Sequence, residues 1–266
     1  MKGLSGKSVV VTGGSRGIGL ACVQRLLEEG CRVLFTGRNE KNGNEALRKL
    51  RKTNEDVEFL AGNMAEESFC TETVKRAISL YGSIDFIVNN AFPFTSMGVN
   101  ATRHDWIKTM EAGPLAYATM ISEFVRQRGM VKPGAIVLMS SISAHIAQPN
   151  RWTYNAAKGA VVQLNRCAAM DLAPMIRVNT VSPGWVWTDE VKKATKGEAL
   201  EKWDKVWGKY HMLRRLAEPH EIASIVAFLL SDDASFITGA DIDASGGYLA
   251  MGSEGLGETS NFAGSE

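Results

Sequence analysis

The sequence lacks an excess of either charge, and it lacks a long apolar run. Its 30 basic and 29 acidic side chains nearly balance over 266 residues, which argues against nucleic acid or an anionic membrane surface as the main partner. No apolar run approaches the ~20 residues of a membrane span, and the first residues have no apolar signal core. We therefore expect a cytoplasmic protein with no membrane association.

Cysteine is scarce, and its pattern is not that of a redox or zinc site. Neither a Cys-x-x-Cys pair nor a zinc-ligand spacing occurs. The four cysteines are Cys22, Cys31, Cys70 and Cys167. We predict that all four are reduced residues of the core.

Short β-branched runs alternate with longer amphipathic segments, and 45% of the residues are apolar. The length fits one large α/β domain. Strand–helix alternation implies right-handed crossovers and a doubly wound, Rossmann-type parallel sheet of about seven strands, with helices on both faces. The predicted strands are residues 8–11, 31–36, 57–60, 84–88, 135–140, 176–181 and 241–244. The predicted helices are residues 16–29, 44–53, 66–80, 114–128, 152–172 and 221–230, with Pro114 in the first turn of its helix.

Two segments differ from this alternation. Residues 185–213 interrupt it and are rich in aromatic side chains, whereas residues 251–266 are rich in Gly, Ser and Glu. The domain is therefore predicted to span residues 1–250. The polar tail is either disordered or held by a neighbouring subunit.

The first predicted strand is followed by a glycine-rich turn, Gly13-x-x-x-Gly17-x-Gly19. This is not the Gly-x-Gly-x-x-Gly dinucleotide fingerprint, and a purely structural turn is the alternative for such a motif alone. However, glycines let a backbone approach a pyrophosphate, and the N-terminus of the next helix offers free N–H groups. The position between strand and helix favours a phosphate-binding turn.

The end of the second predicted strand reads Phe35-Thr36-Gly37-Arg38-Asn39 and has no carboxylate to bind the ribose 2′-hydroxyl of NAD. Arg38 can bind a 2′-phosphate in bidentate fashion, and Arg16 adds a second positive charge. The alternative is that both arginines are solvated surface residues. We predict a preference for NADP(H), with NAD(H) possible.

A Tyr-x-x-x-Lys spacing places Tyr154 and Lys158 on one face of a helix, one turn apart. A nearby ammonium group favours the phenolate, so we expect it to lower the tyrosine pKa and to suit this residue for acid–base catalysis. Ser141 follows the fifth strand, where open α/β sheets bind ligands. Ser140 and Ser143 are competing hydroxyl donors, and the spacing favours Ser141.

These motifs resemble those of a short-chain dehydrogenase/reductase from about Lys7 to Tyr248. The matching stretches are Thr12-Gly13-x-x-x-Gly17-x-Gly19, Asn89-Asn90-Ala91, Ser141 with Tyr154-x-x-x-Lys158, Pro183-Gly184-x-Val186-x-Thr188, and Thr238-Gly239 to Gly246-Gly247. The resemblance implies a hydride-transfer enzyme in which Tyr154 is the acid–base, Lys158 tunes it and Ser141 orients the substrate oxygen. It implies no need for a metal.

The resemblance also places the cofactor. It implies that Asn63 and Met64 flank the adenine, and that Val186 and Thr188 lie on the nicotinamide side. The predicted cofactor-binding residues are Gly13, Ser15, Arg16, Gly17, Ile18, Gly19, Arg38, Asn63, Met64, Asn90, Ala91, Tyr154, Lys158, Pro183, Gly184, Val186 and Thr188.

Two positions depart from the family pattern. The family usually has an asparagine 28 positions before the serine, where it supports a water chain to the lysine; this chain has Gly113. The usual Asn-Asn-Ala-Gly ends in Phe92 here. The proton relay then runs by solvent, a backbone carbonyl or another group, and either lower activity or a reshaped pocket follows.

Aromatic residues dominate the predicted substrate region. The resemblance makes residues 185–213 a lid over the substrate, and such walls favour an apolar or cyclic ketone or alcohol. The alternative is that Trp203 and Trp207, one helical turn apart, only pack a lid helix against the body. The predicted substrate-contacting residues are Phe92, Phe94, His145, Trp152, Trp185 and Trp207.

The helices predicted at 114–128 and 152–172 have wide apolar faces, and in the resembled family such helices pair across subunits. We therefore expect a homotetramer. Two other functions stay open: an NAD-linked dehydrogenase of a cyclic hydroxy metabolite, and a catalytically weak dinucleotide-binding sensor or scaffold.

Overall fold

The computed structural model describes residues 1–196 and 198–256. Seven parallel strands form one sheet in the order β3-β2-β1-β4-β5-β6-β7. They are β1 Ser8–Val11, β2 Arg32–Gly37, β3 Val57–Ala61, β4 Phe86–Asn89, β5 Gly134–Met139, β6 Ile176–Pro183 and β7 Asp241–Ala244. The predicted doubly wound, Rossmann-type parallel sheet is confirmed.

Helices cover both faces of the sheet. In the described part of the chain they are α1 Gly17–Glu28, α2 Glu40–Leu50, α3 Glu67–Tyr81, α4 Arg103–Met110, α5 Ala116–Arg128, α6 Trp152–Leu172, α7 Asp189–Ala194, α8 Leu200–Val206 and α9 Pro219–Leu230. One buried core joins the sheet to α1, α2 and α9, and a second joins it to α3, α5 and α6. None of these helices is long and apolar enough to span a membrane.

The strands are apolar at consecutive positions because both faces of the sheet are buried. In β1, Val9 and Val11 belong to the core beneath α1, whereas Val10 belongs to the core on the other face. A strand with one wet face would instead alternate between apolar and polar residues. This pattern in the sequence therefore identifies a central strand of a two-sided sheet.

The strand order reverses beside β1, which pairs with β2 on one side and with β4 on the other. At such a switch point the connections after the two central strands leave in opposite directions and open a crevice at their carboxyl ends. The glycine-rich turn follows β1 and Asn90 follows β4, so both lie at this crevice.

Three helices lie outside the predicted helix ranges: α4, α7 and α8, of which α8 contains Trp203 and falls where the packing alternative placed a lid helix. They have 8, 6 and 7 residues and too few apolar positions for a clear period. The available signal for α4 was its capping box, in which Thr102 and Asp105 bind each other's backbone N–H groups. Capping also explains why α2 begins at Glu40, since Asn39 Oδ1 accepts the Asn42 N–H at 2.9 Å.

The prediction for Pro114 was wrong in one respect. This proline lies within a π-helical turn, Glu111–Leu115, which joins α4 to α5, and α5 begins only at Ala116. Gly113 in the same turn has non-helical backbone angles, with φ −109° and ψ −111°. The backbone of Gly113 therefore interrupts the helical path between α4 and α5.

One further sequence prediction is wrong for one of its residues, and another lies largely outside the described residues. Cys22, Cys31 and Cys70 are buried as predicted, but Cys167 is exposed on α6, because the outward side of that helix carries it. Residues 257–266 of the predicted tail lie outside the described residues.

Candidate active site

The glycine-rich turn brings two segments of backbone into close contact. Gly13 has a left-handed φ of +68°, and a Cβ there would lie 2.9 Å from Ala91 Cα. A Cβ at Gly19 would overlap the carbonyl oxygen of Gly13. Any side chain at either position would push the turn away from β4.

Side-chain hydrogen bonds fix the turn to the end of β4. Thr12 Oγ1 accepts the backbone N–H groups of Asn90 at 2.9 Å and Ala91 at 3.0 Å. In return, the Asn90 side-chain amide donates to the carbonyl oxygens of Thr12 at 3.0 Å and Gly13 at 3.2 Å. Asn90 therefore shapes the crevice by holding its two sides together.

The first turn of α1 has the features of an anion site. Arg16 is its N-cap residue and makes no side-chain capping bond to the backbone N–H groups that begin the helix. These donors and the positive end of the helix dipole suit a phosphate group. Gly17 and Ile18 supply the first of them, and Thr188 Cγ2 would lie 3.5 Å from a Cβ at Gly17.

The end of β2 lies beside this turn. Ser15 Oγ would be 2.9 Å from a Cβ at Gly37, so the turn packs directly on the strand end. Arg38 follows at an exposed position and forms no ion pair within residues 1–196 and 198–256. Among the described residues, no carboxylate therefore competes with an anion for the Arg38 guanidinium.

Arg16 has a different environment from the one the sequence suggested. Its guanidinium forms an ion pair with Glu190 of α7, at 2.6 Å. Sequence reasoning missed this partner because the two residues are far apart in the chain. The pair joins the glycine-rich turn to the segment predicted as a lid.

The predicted adenine-flanking residues follow β3. Asn63 Oδ1 accepts the Ala65 N–H at 3.2 Å, which turns the chain into α3. Met64 is buried, and its sulfur accepts the hydroxyl of Thr36 at the end of β2. The structure thus brings Asn63, Met64 and Arg38 to one edge of the sheet.

The predicted proton-transfer residues meet at the start of α6. Tyr154 and Lys158 are both buried, and Lys158 Nζ lies 5.6 Å from the centroid of the Tyr154 ring. The Lys158 ammonium donates to the Met139 carbonyl oxygen at 2.9 Å. Ser141 follows β5, and its hydrogen-bonding effect is one of the influences that lower the pKa of Tyr154 against the larger effect of burial.

The three serines after β5 have distinct partners. Ser140 is buried and donates to the Lys158 carbonyl oxygen at 3.2 Å, which fixes β5 to α6. Ser143 donates to Gln148 Oε1 at 2.6 Å. Ser141 Oγ accepts the Ser143 N–H and donates to Ser143 Oγ, both at 3.2 Å. Of the three serines, Ser141 is the one whose hydrogen-bonding effect acts on the pKa of Tyr154, which favours it as the substrate-facing hydroxyl.

Burial dominates the electrostatics of this group. It lowers the pKa of Lys158 from 10.5 to about 7. It also raises the pKa of Tyr154 above its ordinary value, against the opposing effects of the Ser141 hydrogen bond and the Arg151 charge. The expected lowering of the tyrosine pKa is therefore not found in the cofactor-free chain, because the loss of water outweighs the nearby positive charges.

The remaining predicted cofactor residues follow β6. Val186 is buried and forms a parallel bridge with Ala217, and the Trp187 N–H donates to the Ala217 carbonyl oxygen at 2.8 Å. Thr188 caps α7. Pro183 ends β6, and the Gly184 N–H donates to the Ala244 carbonyl oxygen at 3.3 Å. This segment thus crosses the carboxyl edge of the sheet towards Gly17.

Similar known proteins show which family has this arrangement of motifs. A family model described as "Enoyl-(Acyl carrier protein) reductase" matches residues 13–249. The NADP-dependent (R)-specific alcohol dehydrogenase of Lentilactobacillus kefiri is 32% identical, with 93% of this chain and 98% of that protein covered. Human dehydrogenase/reductase SDR family member 4 is 32% identical, with 92% and 88% covered.

The chain belongs to the short-chain dehydrogenase/reductase family.

Further relatives agree with this family. The cyclopentanol dehydrogenase of Comamonas testosteroni is 33% identical, with 92% of this chain and 97% of that protein covered. Among solved structures, the ligand-free aldohexose dehydrogenase of Thermoplasma acidophilum has a TM-score of 0.83 and 29% identity, with 94% of this chain and 96% of that chain covered. The fold and the general oxidoreductase chemistry of a short-chain dehydrogenase/reductase are therefore established for this chain.

The two departures from the family pattern are in contact. A Cβ at Gly113 would lie 2.7 Å from Phe92 Cε2, so the ring fills the space of a side chain at position 113. The Phe92 ring packs edge-on against Tyr154, with centroids 5.4 Å apart. Phe92 therefore lies against Tyr154 in the predicted proton-transfer group; the sequence marked it as a departure from the family pattern and as a predicted substrate contact.

Other aromatic residues are arranged around the outer side of Tyr154. The Phe94 ring stacks on the Tyr154 ring at 6.4 Å and is 69% exposed. Arg151, which the sequence analysis did not single out, lies 5.9 Å from the Tyr154 ring centroid and 5.8 Å from that of Trp185. Trp185 stacks on Trp207 at 4.6 Å.

The other aromatic residues and His145 have the following surroundings. Trp203 packs on Trp207, with ring centroids 4.1 Å apart. Trp152 is exposed at the first turn of α6. His145 Nε2 pairs with Asp241 Oδ2 at 2.7 Å, so this side chain joins the loop after β5 to β7.

His211 connects two parts of the segment predicted as a lid. Its Nε2 accepts the Trp185 N–H at 3.2 Å, so Nδ1 carries the proton and donates to the Trp207 carbonyl oxygen at 3.2 Å. Burial lowers the pKa of His211 and favours this neutral form. No sequence motif marked this residue.

Proposed function

We propose that the chain is an NADP(H)-dependent alcohol dehydrogenase or ketone reductase. The observation that supports this best is the meeting of Ser141, Tyr154 and Lys158 beside a turn built for phosphate. Either feature alone is common, but in one crevice they provide both a cofactor site and a proton donor.

The residues present fit a dinucleotide. The uncapped first turn of α1 suits the pyrophosphate, and Gly13 and Gly19 allow the tight turn that precedes this helix. Arg38 suits a 2′-phosphate at the end of a strand that lacks a carboxylate. When bound, the nicotinamide supplies a hydride to the carbonyl carbon or accepts one from the alcohol.

Three side chains of the protein bind the substrate oxygen and transfer its proton. During reduction, the Ser141 hydroxyl donates a hydrogen bond to the carbonyl oxygen and holds it near Tyr154. The Tyr154 hydroxyl transfers its proton to that oxygen, and the Lys158 ammonium stabilises the phenolate that remains. Solvent then returns a proton to Tyr154. Alcohol oxidation reverses these transfers.

The deciding experiment replaces Tyr154 with phenylalanine. Tyr154→Phe keeps the ring packing and removes the proton, so we expect cofactor binding to persist while turnover falls by about 10²–10⁴-fold. Absorbance of the reduced cofactor with a panel of ketones measures this. Tyr81→Phe is the matched control, because the Tyr81 hydroxyl is buried outside the site and has no hydrogen-bond partner.

Binding without turnover in the unaltered protein would instead support the sensor alternative. Turnover that is indifferent to Tyr154→Phe would reject the assigned acid–base. An unaltered protein that turns over only with NAD(H) would support the NAD-linked alternative.

The substrate is proposed to be an apolar or cyclic ketone or alcohol. The stacked rings of Phe94, Trp185 and Trp207 near Tyr154 support an apolar ligand. The Arg151 guanidinium lies 5.8 Å from the Trp185 ring centroid and 5.9 Å from that of Tyr154. Because this positive charge could bind a carboxylate, the contrasting prediction is a negatively charged substrate. Comparing kcat/KM for cyclopentanone-type substrates with that for keto acids tests the choice, and a clear preference for keto acids would contradict it.

The subunit arrangement is proposed to be a homotetramer, and residues 185–213 are proposed to be the substrate lid. Large apolar side chains are exposed on or near helices that would pair: Leu115, Met170 and Phe236. The cytoplasmic location stays a prediction.

A further inference from the structure

Lys158 is a buried cation with few polar partners. Its side chain is almost fully buried, and an ammonium group has three N–H donors. One of them donates to the Met139 carbonyl oxygen at 2.9 Å. In the described residues no carboxylate pairs with Lys158. A charge in such a place needs another source of stabilisation.

The ring of Phe92 provides an electron-rich surface at this point. Lys158 Nζ lies 3.6 Å from the centroid of the Phe92 ring, well within the range of a cation–π interaction. The same ammonium is 5.6 Å from the Tyr154 centroid. Phe92 is therefore the closer aromatic partner, and burial strengthens such an interaction because water does not compete.

Neighbouring side chains hold the Phe92 ring in place. It packs edge-on against Tyr154 and against Tyr117, with centroids 5.4 and 6.3 Å apart. The Tyr117 hydroxyl donates to the same Met139 carbonyl oxygen that Lys158 uses, at 3.4 Å. Tyr154 and Tyr117 are thus titratable groups close to the Lys158 ammonium, one through its ring and one through the shared Met139 carbonyl oxygen.

Gly113 makes this arrangement possible. A Cβ there would lie 2.7 Å from Phe92 Cε2 and 2.9 Å from Cζ, closer than real contacts allow. The side chain at position 113 and the ring at position 92 therefore exclude each other. The two positions are 21 residues apart in sequence and form one structural unit.

We propose that Phe92 is a positioning residue for Lys158, whose ammonium group it holds at the inner end of the site by its ring face, in space that Gly113 leaves free. The ring takes the place of a polar side chain or water there. This rests on the proposed function, because Lys158 matters through Tyr154, but the contact itself exists in the cofactor-free chain.

The test lowers the electron density on the face of the Phe92 ring and nearly preserves the shape of the ring. Phe92 is replaced by phenylalanines with one, two and three ring fluorines, which withdraw electron density step by step. The pKa of Lys158 is measured in the cofactor-free protein by NMR titration of ¹³C-labelled lysine, with Lys158→Met to assign the signal. We expect the Lys158 pKa to fall with each fluorine, by about one unit over the series.

Catalysis supplies the second readout. The pH dependence of kcat should shift in the same order as the lysine pKa, while KM for the ketone changes little. Phe92→Leu, which keeps apolar bulk without a π face, should lower kcat about tenfold. The matched control is Phe124, a buried ring that contacts the Arg128 guanidinium at 4.8 Å outside the site. Fluorination there should leave both readouts unchanged.

A lysine pKa that is constant across the fluorinated series would overturn the proposal. This result is independent of turnover, so it differs from a failure of the proposed function, in which the pKa would move but no ketone would react.

An exchange of the two side chains tests the role of Gly113. Gly113→Asn alone should reduce both Tm and kcat, because the new side chain overlaps the Phe92 ring. In a Phe92→Gly background the same change should cost much less, and a double-mutant cycle measures the difference. Strictly additive effects would show that the two positions do not compete for space.

Discussion

At the residue scale, the buried charge of Lys158 lowers the stability of the folded chain. Its ammonium is removed from water, and burial lowers its pKa to about 7. The folded chain therefore holds the charged form at a cost that an apolar side chain would not incur. The proposed acid–base role would account for a lysine at a position that packing alone would give to methionine.

Replacing this lysine should stabilise the protein in a pH-dependent way. Between the lowered pKa of about 7 and the ordinary 10.5, the unfolded chain binds more protons at Lys158 than the folded chain. The unaltered protein therefore gains stability at this site as pH rises through that window, and Lys158→Met removes this gain. The advantage of the variant should be greatest at or below about pH 7 and should shrink by about 2 kcal/mol near pH 9.

Urea unfolding of both proteins at the two pH values measures this difference. Lys132→Met, at an exposed loop position, is the control and should show no such trend. A constant difference between Lys158→Met and the unaltered protein would contradict the burial of a charged lysine.

Arg38 should decide the choice between the two nicotinamide cofactors. Its guanidinium is exposed at the end of β2. Arg38→Ala should raise KM for NADPH by roughly 10- to 100-fold and leave KM for NADH nearly unchanged, since only NADPH carries the 2′-phosphate. Initial rates with both cofactors test this, with the exposed Arg48→Ala on α2 as control. An equal effect on both cofactors would point to a structural role for Arg38.

At the scale of elements, an ion pair connects α7 to the glycine-rich turn of the proposed cofactor site. Glu190 near the start of α7 binds Arg16 at 2.6 Å and Lys193 at 3.0 Å. A phosphate group near Arg16 would compete with Glu190 for the guanidinium. The glycine-rich turn and the proposed lid therefore share a charged residue.

Removing this competition should strengthen binding of the phosphorylated cofactor. Glu190→Gln frees Arg16, and for a partly exposed pair we expect about threefold tighter binding of NADP⁺. Calorimetric titration measures it. Lys193→Gln removes the other partner of Glu190 and should give no gain. Weaker binding in Glu190→Gln would show that the pair instead holds the site in its binding form.

The regular elements were largely predictable from the sequence, and the contacts between distant elements were not. Buried strands show consecutive apolar residues, and long helices show their period, so the sheet and α1, α3, α5 and α6 follow from local patterns. The proposed triad was inferred from spacing within α6 and after β5, and the structure brings Tyr154 and Lys158 together there. The contact of Phe92 with Gly113 and the pairing of Arg16 with Glu190 depend on how remote segments meet, which no local pattern encodes.

At the scale of the whole molecule, exposed apolar side chains support assembly. Met170 is 83% exposed on α6, and Phe236 is fully exposed before β7. Burying such side chains against another copy would remove apolar surface from water. Light scattering at micromolar concentration should give four times the 28.9 kDa of one chain. Met170→Glu should shift the mass downwards, with Lys132→Glu as control, and a monomeric unaltered protein would reject the tetramer.

The placement of β1 between β2 and β4 has a consequence for how the protein is made. The two sides of the crevice are joined by Thr12 and Asn90, which are 78 residues apart. A nascent polypeptide leaving the ribosome therefore lacks a coenzyme cradle until its fourth strand has emerged and inserted beside the first. Newly synthesised molecules consequently pass through an early period in which coenzyme cannot protect them from proteases.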